Sequence, residues 1–190
     1  MNVAVVIPVK SFTVAKGRLA DTLTAAQRAD LAERCAETVV RAALPLPTFV
    51  VCSDPTVASW ATQLGAIAVD CQTPGLDVAV AAGRDAAITH GADHIVVAHA
   101  DLPLATTFSH VAIAHTVTLV PDRHRDGTNV LSFPAQSPFV TAYGPGSFDN
   151  HIRNAVSAQL PHVVIDDESL ALDLDTADDL TELERRKKNT

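Results

Sequence analysis

Short apolar runs alternate along this chain with longer segments in which apolar residues recur at helical spacing. The short runs are rich in β-branched residues, as buried strands are, and the first of them covers residues 2–8. Strands are predicted over 2–8, 49–52, 66–69, 94–98, 117–120, 130–133, 139–143 and 162–165, with an extended segment over 170–175. Strands that alternate with helices predict an α/β fold, in which helices cover both faces of a mainly parallel sheet. At 190 residues we expect one domain over 1–190.

Capping residues mark where the predicted helices begin. Thr24 is followed three residues later by Gln27, which is the spacing of a capping box, and it opens a helix to about residue 43. Asp54 and Pro55 place an N-cap before a proline at the first helical position. Further helices are predicted over 76–90, 147–158 and 176–188, the last two capped by Ser147 and Thr176.

The composition is that of a globular protein, and it mainly serves to exclude other classes of protein and partner. Hydrophobic residues make up 47% and charged residues 19% of the chain, which excludes a disordered protein. The net charge of -8 argues against nucleic-acid and anionic-membrane partners, whose binding needs a basic face. The cysteines Cys35, Cys52 and Cys71 show no CxxC spacing and are interpreted as reduced thiols. The first apolar run is too short for a signal peptide or a membrane span, so we expect a soluble cytoplasmic protein.

A cationic loop directly follows the first predicted strand and carries Lys10, Lys16 and Arg18. Open α/β sheets bind ligands at the edge where their parallel strands end, which is where this loop begins. Three cations within nine residues suit a polyphosphate, because fixed positive charge offsets the charge of the phosphate oxygens. The alternative is a solvated basic loop, but its position after the first strand of an acidic chain favours a ligand-binding role.

Two phosphate-binding motifs are missing from the sequence. No G-x-G-x-x-G follows the first strand, so a dinucleotide-binding fold is unsupported. The sequence also contains no G-x-x-x-x-G-K-[ST] motif, and its absence excludes a P-loop. Phosphates are therefore expected to be held mainly by side-chain cations. The eight histidines show no zinc-ligand spacing, and no serine has the G-x-S-x-G context of a nucleophile.

Three aspartates are candidate magnesium ligands. Asp101 ends a predicted buried strand, and Asp173 and Asp175 are one residue apart in an extended segment, which places their side chains on one face. Carboxylate oxygens are ligands for a hard cation such as Mg²⁺, of which this site could hold one or two. Alternatively, Asp101 ends a strand at a turn, and the other two precede a helix N-terminus. Carboxylates together with the cationic loop form the arrangement that nucleotidyl transfer requires.

Short motifs follow one another along the whole chain. The first is Ile7-Pro8-Val9-Lys10, followed by Ala15-Lys16-Gly17-Arg18-Leu19. The later ones are Gly75-Leu76-Asp77, Asp101-Leu102-Pro103, Asp126-Gly127-Thr128-Asn129, Tyr143-Gly144-Pro145-Gly146-Ser147-Phe148 and Asp173-Leu174-Asp175-Thr176. In this order they resemble the motifs of the CofC/FbiD family, the guanylyltransferases of coenzyme F420 biosynthesis. Each motif is weak alone, and their order and spacing make the signal specific.

The resemblance implies a nucleotidyltransferase fold, which is a Rossmann-like three-layer sandwich. Molybdenum-cofactor and sugar-nucleotide enzymes share this fold. It implies that a phosphorylated three-carbon acid attacks the α-phosphorus of GTP and releases pyrophosphate. The acceptor is usually phosphoenolpyruvate in bacterial members, 2-phospho-L-lactate in archaeal members and 3-phosphoglycerate in a few. Because the attacking phosphate oxygen is already ionised near neutral pH, no strong general base is expected.

The resemblance also implies roles for individual residues. The expected triphosphate ligands are Lys16 and Arg18, with Lys10 nearby; the expected Mg²⁺ ligands are Asp101, Asp173 and Asp175; the expected acceptor ligands are Thr128, Gly144 and Ser147. Lys16, Arg18 and Asp101 would form the catalytic group. Ser147 would bind the acceptor at a helix N-terminus, where free amides favour an anion, and it could also serve as an ordinary N-cap.

One position departs from the family pattern, because Asp77 stands where the family has asparagine. A carboxylate can accept from the N1–H and N2–H₂ groups of guanine, so Asp77 remains a nucleotide-binding candidate, but it binds the O6 acceptor poorly.

Two other functions stay open from the residues: a related nucleotidyltransferase acting on a pterin or sugar phosphate, and a non-catalytic nucleotide-binding protein. The partners that the resemblance implies are GTP and the phosphorylated acid, and a homodimer is an open alternative to the monomer.

Overall fold

Residues 1–188 are described by the computed structural model and contain seven strands. The strands are β1 (Val3–Pro8), β2 (Thr48–Cys52), β3 (Ile67–Asp70), β4 (His94–Ala98), β5 (Val117–Pro121), β6 (Thr128–Pro134) and β7 (His162–Val164). The α-helices are α1 (Ala25–Ala43), α2 (Pro55–Gln63), α3 (Leu76–Thr89), α4 (Ser147–Ser157) and α5 (Ala177–Lys188). Within the described residues, none of these helices has the length and apolar composition needed to cross a bilayer.

The strands form one sheet in the order β3-β2-β1-β4-β6-β5-β7. The pairs β1–β2, β2–β3, β1–β4 and β5–β7 are parallel, which confirms the predicted mainly parallel sheet. The exception is β6, which runs antiparallel to both β4 and β5 and which the sequence pattern did not reveal. Because β6 runs in the opposite direction, its first residue, Thr128, lies at the edge where β1 and β4 end.

Helices cover both faces of the sheet, as predicted. Alternate residues of β1 point to opposite sides, so that Val5 and Ile7 pack with α1 and α2, while Ala4 and Val6 pack with α3 and α4. All four of these side chains are fully buried. The helix α3 lies so close to β1 that a Cβ atom at Gly83 would overlap Val6. The result is a three-layer α/β/α arrangement with a separate apolar core on each side of the sheet.

The predicted strand over 139–143 is wrong, because this segment forms an irregular loop that pairs with no strand among residues 1–188. Its backbone groups are bound by side chains instead, which removes the need for a neighbouring strand. The side chains are those of Asp77, Arg84, His151 and Asn154, which bind Tyr143 N, Phe139 O, Ala142 N and Val140 O respectively. The segment is therefore held against α3 and α4.

Two of the predicted helix caps show a clear contrast. Thr24 forms the predicted capping box with Gln27, each side chain binding the other residue's backbone amide. Ser147 is not the N-cap of α4, because that position is taken by Gly146, whose φ of 69° is left-handed. Ser147 is instead the first helical residue, and its Oγ accepts a hydrogen bond from Thr128 N at 3.1 Å. The short polar side chain thus links α4 to the start of β6.

Candidate active site

A cleft of about 480 Å³ opens at the sheet edge where β1 and β4 end. It lies in the size range of small-molecule sites. One side is formed by the loop after β1, which contains two single-turn 3-10 helices, Phe12–Val14 and Gly17–Leu19. The other side is formed by His99, Ala100 and Asp101 after β4 and by Asp175. The cleft therefore brings together segments from both ends of the chain.

Lys16 lies at the centre of this cleft between two aspartates. Its Nζ donates to Asp101 Oδ2 at 2.7 Å and to Asp175 Oδ1 at 3.2 Å. Its side chain is only 7% exposed. The residue has a left-handed backbone with a φ of 58°, which costs a non-glycine residue about 1–2 kcal/mol. Such strain in the wall of a ligand-sized cleft is typical of functional positions.

The Lys16–Asp101 pair is held in its charged form. Burial of Lys16 opposes the charged ammonium, but attraction and hydrogen bonds to Asp101 and Asp175 outweigh it and raise the pKa of Lys16. Burial likewise opposes ionisation of Asp101, but the charges of Lys16 and His99 outweigh it and lower the pKa of that carboxyl. Both shifts favour the ion pair, so the predicted cation and the predicted carboxylate meet in one charged contact.

The segment 172–175 places two further carboxylates beside this pair. Leu172 and Leu174 are fully buried against α1 and α5, and the alternation leaves Asp173 and Asp175 on the opposite side. The segment is aligned with Asp101, because Leu174 N donates to the Asp101 carbonyl at 3.1 Å. The prediction that Asp173 and Asp175 share a face is confirmed, although the segment forms no regular strand.

Asp173 is the most perturbed of the three carboxylates. Burial, together with the negative charges of Asp101 and Asp175, raises its pKa to about 6. A carboxyl with such a pKa is close to half-protonated at slightly acidic pH and gains from any cation placed beside it. Asp173 therefore carries an electrostatic cost that a bound cation would relieve.

The donor set fits a magnesium ion in its chemistry. Asp101 Oδ1 is buried without a hydrogen-bond partner among residues 1–188, and Asp173 and Asp175 add further carboxylate oxygens. Carboxylate oxygens are the ligands that Mg²⁺ prefers in proteins. In the described residues, however, no three acidic, histidine or cysteine side chains already enclose an ion-sized space. Asp101 and Asp175 are bridged by the Lys16 ammonium instead, and magnesium binding stays a prediction.

The other two predicted cations line the same cleft. Arg18 lies with its Nη1 3.8 Å from Asp175 Oδ2, and its side chain is 76% exposed. Lys10 is exposed at the end of β1 and also lines the cleft. These two long side chains are therefore free to move towards a ligand, whereas Lys16 is already fixed. The solvated-loop alternative does not describe Lys16, which is buried and paired.

The predicted acceptor ligands lie at the same sheet edge but not on the wall of the cleft. Thr128 is fully buried, Ser147 is nearly so, and the two are joined by the bond from Thr128 N to Ser147 Oγ. Gly144 is exposed, with a φ of 125° that favours glycine. The structure thus brings Thr128 and Ser147 together, and their role in binding the acceptor stays a prediction.

Asp77 lies in the first turn of α3, next to the cleft residue Leu76. Both of its carboxylate oxygens accept from Tyr143 N at 3.2 Å. The contact places Asp77 in a structural role, holding the loop 139–143 against α3. The structure does not place Asp77 on the cleft wall, and its contact with guanine stays a prediction.

Several residues that build the site were not recognised in the sequence. Asp179 of α5 is buried and pairs with Arg123 at 2.7 Å. It also accepts from the backbone amides of Asp175 and Thr176, which fixes the carboxylate segment. The spacing of Thr176 and Asp179 is that of a capping box, and it could have indicated that Asp179 binds backbone amides at the start of α5. No local pattern marks Arg123 as the partner of Asp179.

His99 and Tyr143 were also missed as parts of the site. Their rings are in contact, with centroids 5.5 Å apart. His99 Nε2 and Tyr143 Oη are buried without a hydrogen-bond partner in the part of the chain that the structure describes. Unsatisfied buried polar atoms beside a cleft are expected where a ligand supplies the missing partner.

Comparison with known proteins is consistent with this geometry. The family model described as "Guanylyl transferase CofC like" matches residues 3–188. The chain belongs to this family. A phosphoenolpyruvate guanylyltransferase of Sphaerobacter thermophilus is 34% identical over 192 residues, covering 96% of this chain and 93% of the relative. The resemblance seen in the sequence motifs is therefore confirmed at the level of the family.

Solved structures show the same fold at low sequence identity. A protein of Desulfovibrio desulfuricans G20 described as a nucleotide-diphospho-sugar transferase superposes with a TM-score of 0.77 at 16% identity, covering 100% of this chain and 89% of that one. A nucleotidyl transferase of Methanothermobacter superposes with a TM-score of 0.66 at 13% identity, covering 99% of both chains. The predicted nucleotidyltransferase-like α/β fold is confirmed.

Proposed function

We propose that this protein is a guanylyltransferase that transfers GMP from GTP to phosphoenolpyruvate and releases pyrophosphate, within coenzyme F420 biosynthesis. The observation that carries the proposal is the contact of Lys16 with Asp101 and Asp175 inside one ligand-sized cleft. The family match and the phosphoenolpyruvate guanylyltransferases among its relatives support the choice of nucleotide and acceptor. They favour this function over transfer to a pterin or sugar phosphate.

The cations of the first loop would bind the triphosphate. Lys16 lines the cleft in its charged form, and its ammonium uses two of its three donors on Asp101 and Asp175, which leaves one for a phosphate oxygen. Arg18 and Lys10 are exposed and would place a second and a third positive charge beside the β- and γ-phosphates. Three fixed or recruited cations are suited to the leaving pyrophosphate, whose negative charge grows as the bond to the α-phosphorus breaks.

Asp101, Asp173 and Asp175 would hold Mg²⁺. When bound, the ion would neutralise charge on the α-phosphate and the departing pyrophosphate. The orphaned Asp101 Oδ1 and the raised pKa of Asp173 support this assignment, because the first is an oxygen without a partner in residues 1–188 and the second is a carboxylate whose ionisation burial and its neighbours oppose. Asp179 would act at a distance by holding the backbone of Asp175 through its hydrogen bond.

The proposed reaction forms one P–O bond and breaks another. A phosphate oxygen of the acceptor attacks the α-phosphorus of GTP, and the bond between the α-phosphorus and the bridging oxygen breaks to release pyrophosphate. The attacking oxygen is already ionised, so no proton has to be removed. This agrees with the state of His151 near the site, because burial lowers its pKa to about 4 and both ring nitrogens are engaged. Positioning and charge neutralisation then supply the catalysis.

Pyrophosphate release tests the proposal. The protein is incubated with Mg²⁺, each of the four ribonucleoside triphosphates, and phosphoenolpyruvate, 2-phospho-L-lactate or 3-phosphoglycerate. We expect release with GTP and phosphoenolpyruvate. Release with only a pterin or sugar phosphate would contradict the proposal, and so would GTP binding without turnover.

Two matched variants show whether the reaction depends on the cleft. Asp101→Asn removes a carboxylate from the site, and we expect turnover to fall by about two orders of magnitude or more. Asp166→Asn is the control, because Asp166 pairs with Arg125 at the surface with its side chain 78% exposed. Equal turnover of the two variants would remove Asp101 from the catalytic group.

A further inference from the structure

A fully buried histidine, His151 of α4, connects two elements at the proposed acceptor site. Its Nε2 lies 3.0 Å from the backbone amide of Ala142, and its Nδ1 lies 2.9 Å from Thr128 Oγ1. A backbone amide can only donate, so Nε2 must be the acceptor and carry no proton. A neutral imidazole carries one proton, which is then on Nδ1 and is donated to Thr128 Oγ1.

This tautomer determines how the Thr128 hydroxyl can act. Because Thr128 Oγ1 accepts the proton of His151 Nδ1, its own proton has to point towards another acceptor. Within residues 1–188, no atom accepts that proton. Ser147 is arranged in the same way, since its Oγ accepts from Thr128 N and its hydroxyl proton also has no acceptor in the described chain.

Two buried hydroxyl protons without acceptors therefore lie side by side at the start of β6 and α4. Hydroxyl donors at a helix N-terminus suit an anionic oxygen, because the positive end of the helix dipole adds to the attraction. The adjoining turn contains Gly144 and Gly146, with φ values of 125° and 69°, and it ends at Ser147. Because both residues are buried, a ligand oxygen reaches the two hydroxyls only when the neighbouring chain moves aside.

We propose that His151 is a positioning residue, which holds the Thr128 hydroxyl as a hydrogen-bond donor to an anionic oxygen of the phosphorylated acid. The inference rests on the proposed function for the identity of the acceptor. His151 does not touch the substrate and transfers no proton. It acts by excluding the alternative in which the Thr128 hydroxyl donates its proton to His151 and has none left for the ligand.

Two substitutions separate the two hydrogen bonds of His151. The amide nitrogen of asparagine reaches the position of Nδ1, so His151→Asn keeps the donor to Thr128 and loses the acceptor for Ala142. The amide oxygen of glutamine reaches the position of Nε2, so His151→Gln keeps the acceptor for Ala142 and loses the donor to Thr128. His94→Gln is the control, because His94 is another buried histidine, bonded to Ser132 at the opposite end of β4.

The readout is the KM of each substrate against kcat. We expect His151→Gln to raise the KM for phosphoenolpyruvate about tenfold or more, with the KM for GTP and kcat within about twofold of the wild type. We expect His151→Asn and His94→Gln to leave the KM for phosphoenolpyruvate within about threefold. Equal effects of the two His151 variants, or an equal rise in the KM for GTP, would overturn the proposal.

The tautomer can be measured in the wild-type protein without any activity. Nitrogen NMR of protein labelled at histidine should show the Nδ1 of His151 protonated and its Nε2 unprotonated near neutral pH. A protonated Nε2 overturns the inference even if the enzyme is active. If the tautomer is as expected but no phosphorylated acid is a substrate, the proposed function fails, and the role of His151 towards an acceptor falls with it.

Discussion

Replacing Asp173 by asparagine should make the protein more stable and less active. In the folded chain, burial and the charges of Asp101 and Asp175 raise the pKa of Asp173 from 3.8 to about 6. The folded state therefore disfavours the ionised carboxylate relative to the unfolded state. Asparagine has the same shape without the charge, so it removes that cost together with a predicted magnesium ligand.

The size and pH dependence of the effect follow from the shift. A difference of about two pKa units corresponds to about 3 kcal/mol at a pH where both states are ionised. Because Asp173 is partly exposed and its surroundings can relax, we expect about 1–2 kcal/mol, or roughly 2–8 °C in Tm for a domain of this size. A raised pKa favours folding below about pH 4 and loses that contribution as the pH rises through 6. The advantage of the variant should thus be full above pH 7 and fade between pH 6 and pH 4.

Urea unfolding at pH 8 and at pH 4, without added metal, measures this difference. The control is Asp178→Asn, which makes the same change at an exposed position of α5 and should alter stability little at either pH. Added Mg²⁺ should stabilise the wild type more than the Asp173 variant. Equal stability of wild type and variant at pH 8 would refute the electrostatic reasoning. Full turnover of the variant would refute the assignment of Asp173 to the metal.

Three further substitutions test other parts of the site. Lys16→Met leaves Asp101 without its cation, and we expect a loss of about 2–3 kcal/mol in urea unfolding and a fall of about a hundredfold in turnover; unchanged turnover would remove Lys16 from the catalytic group. Arg123→Ala removes the partner of Asp179, so the free energy of unfolding should fall by about 1–3 kcal/mol and the Mg²⁺ concentration for half-maximal turnover should rise; an unchanged magnesium requirement would contradict the anchoring role. Asp77→Ala should lower the preference for GTP over ATP about tenfold in a competition assay, and an unchanged ratio would limit Asp77 to its contact with the loop amide.

The order of strands and helices could be predicted because it follows from local patterns. The β-branched runs, the Thr24 capping box and the Asp54-Pro55 start all act within a few residues of the chain. The antiparallel direction of β6 could not be predicted in this way, since strand direction depends on which neighbours the strand meets in the folded sheet. The segment 139–143 has a strand-like sequence, but side chains from α3 and α4 satisfy its backbone and prevent a strand.

The charged centre of the site was predictable for a related reason. Lys16 and Asp101 both follow parallel strands, and such strands end at one edge of a sheet. The alternation of leucine and aspartate in 172–175 indicated which face the carboxylates share. The contacts of Arg123, His99 and His151 come from residues that are distant in the sequence and carry no local signal. Their roles became visible only from distances in the folded chain.

The position of attack on the nucleotide tests the central claim most directly. Phosphorus NMR of the protein with GTP, phosphoenolpyruvate and Mg²⁺ distinguishes attack at the α-phosphorus from attack at the γ-phosphorus. We predict equal amounts of free pyrophosphate and of a product with two coupled phosphorus signals, one from the GMP unit and one from the acceptor. Formation of GDP with orthophosphate, or no change in GTP while phosphoenolpyruvate is present, would contradict the account.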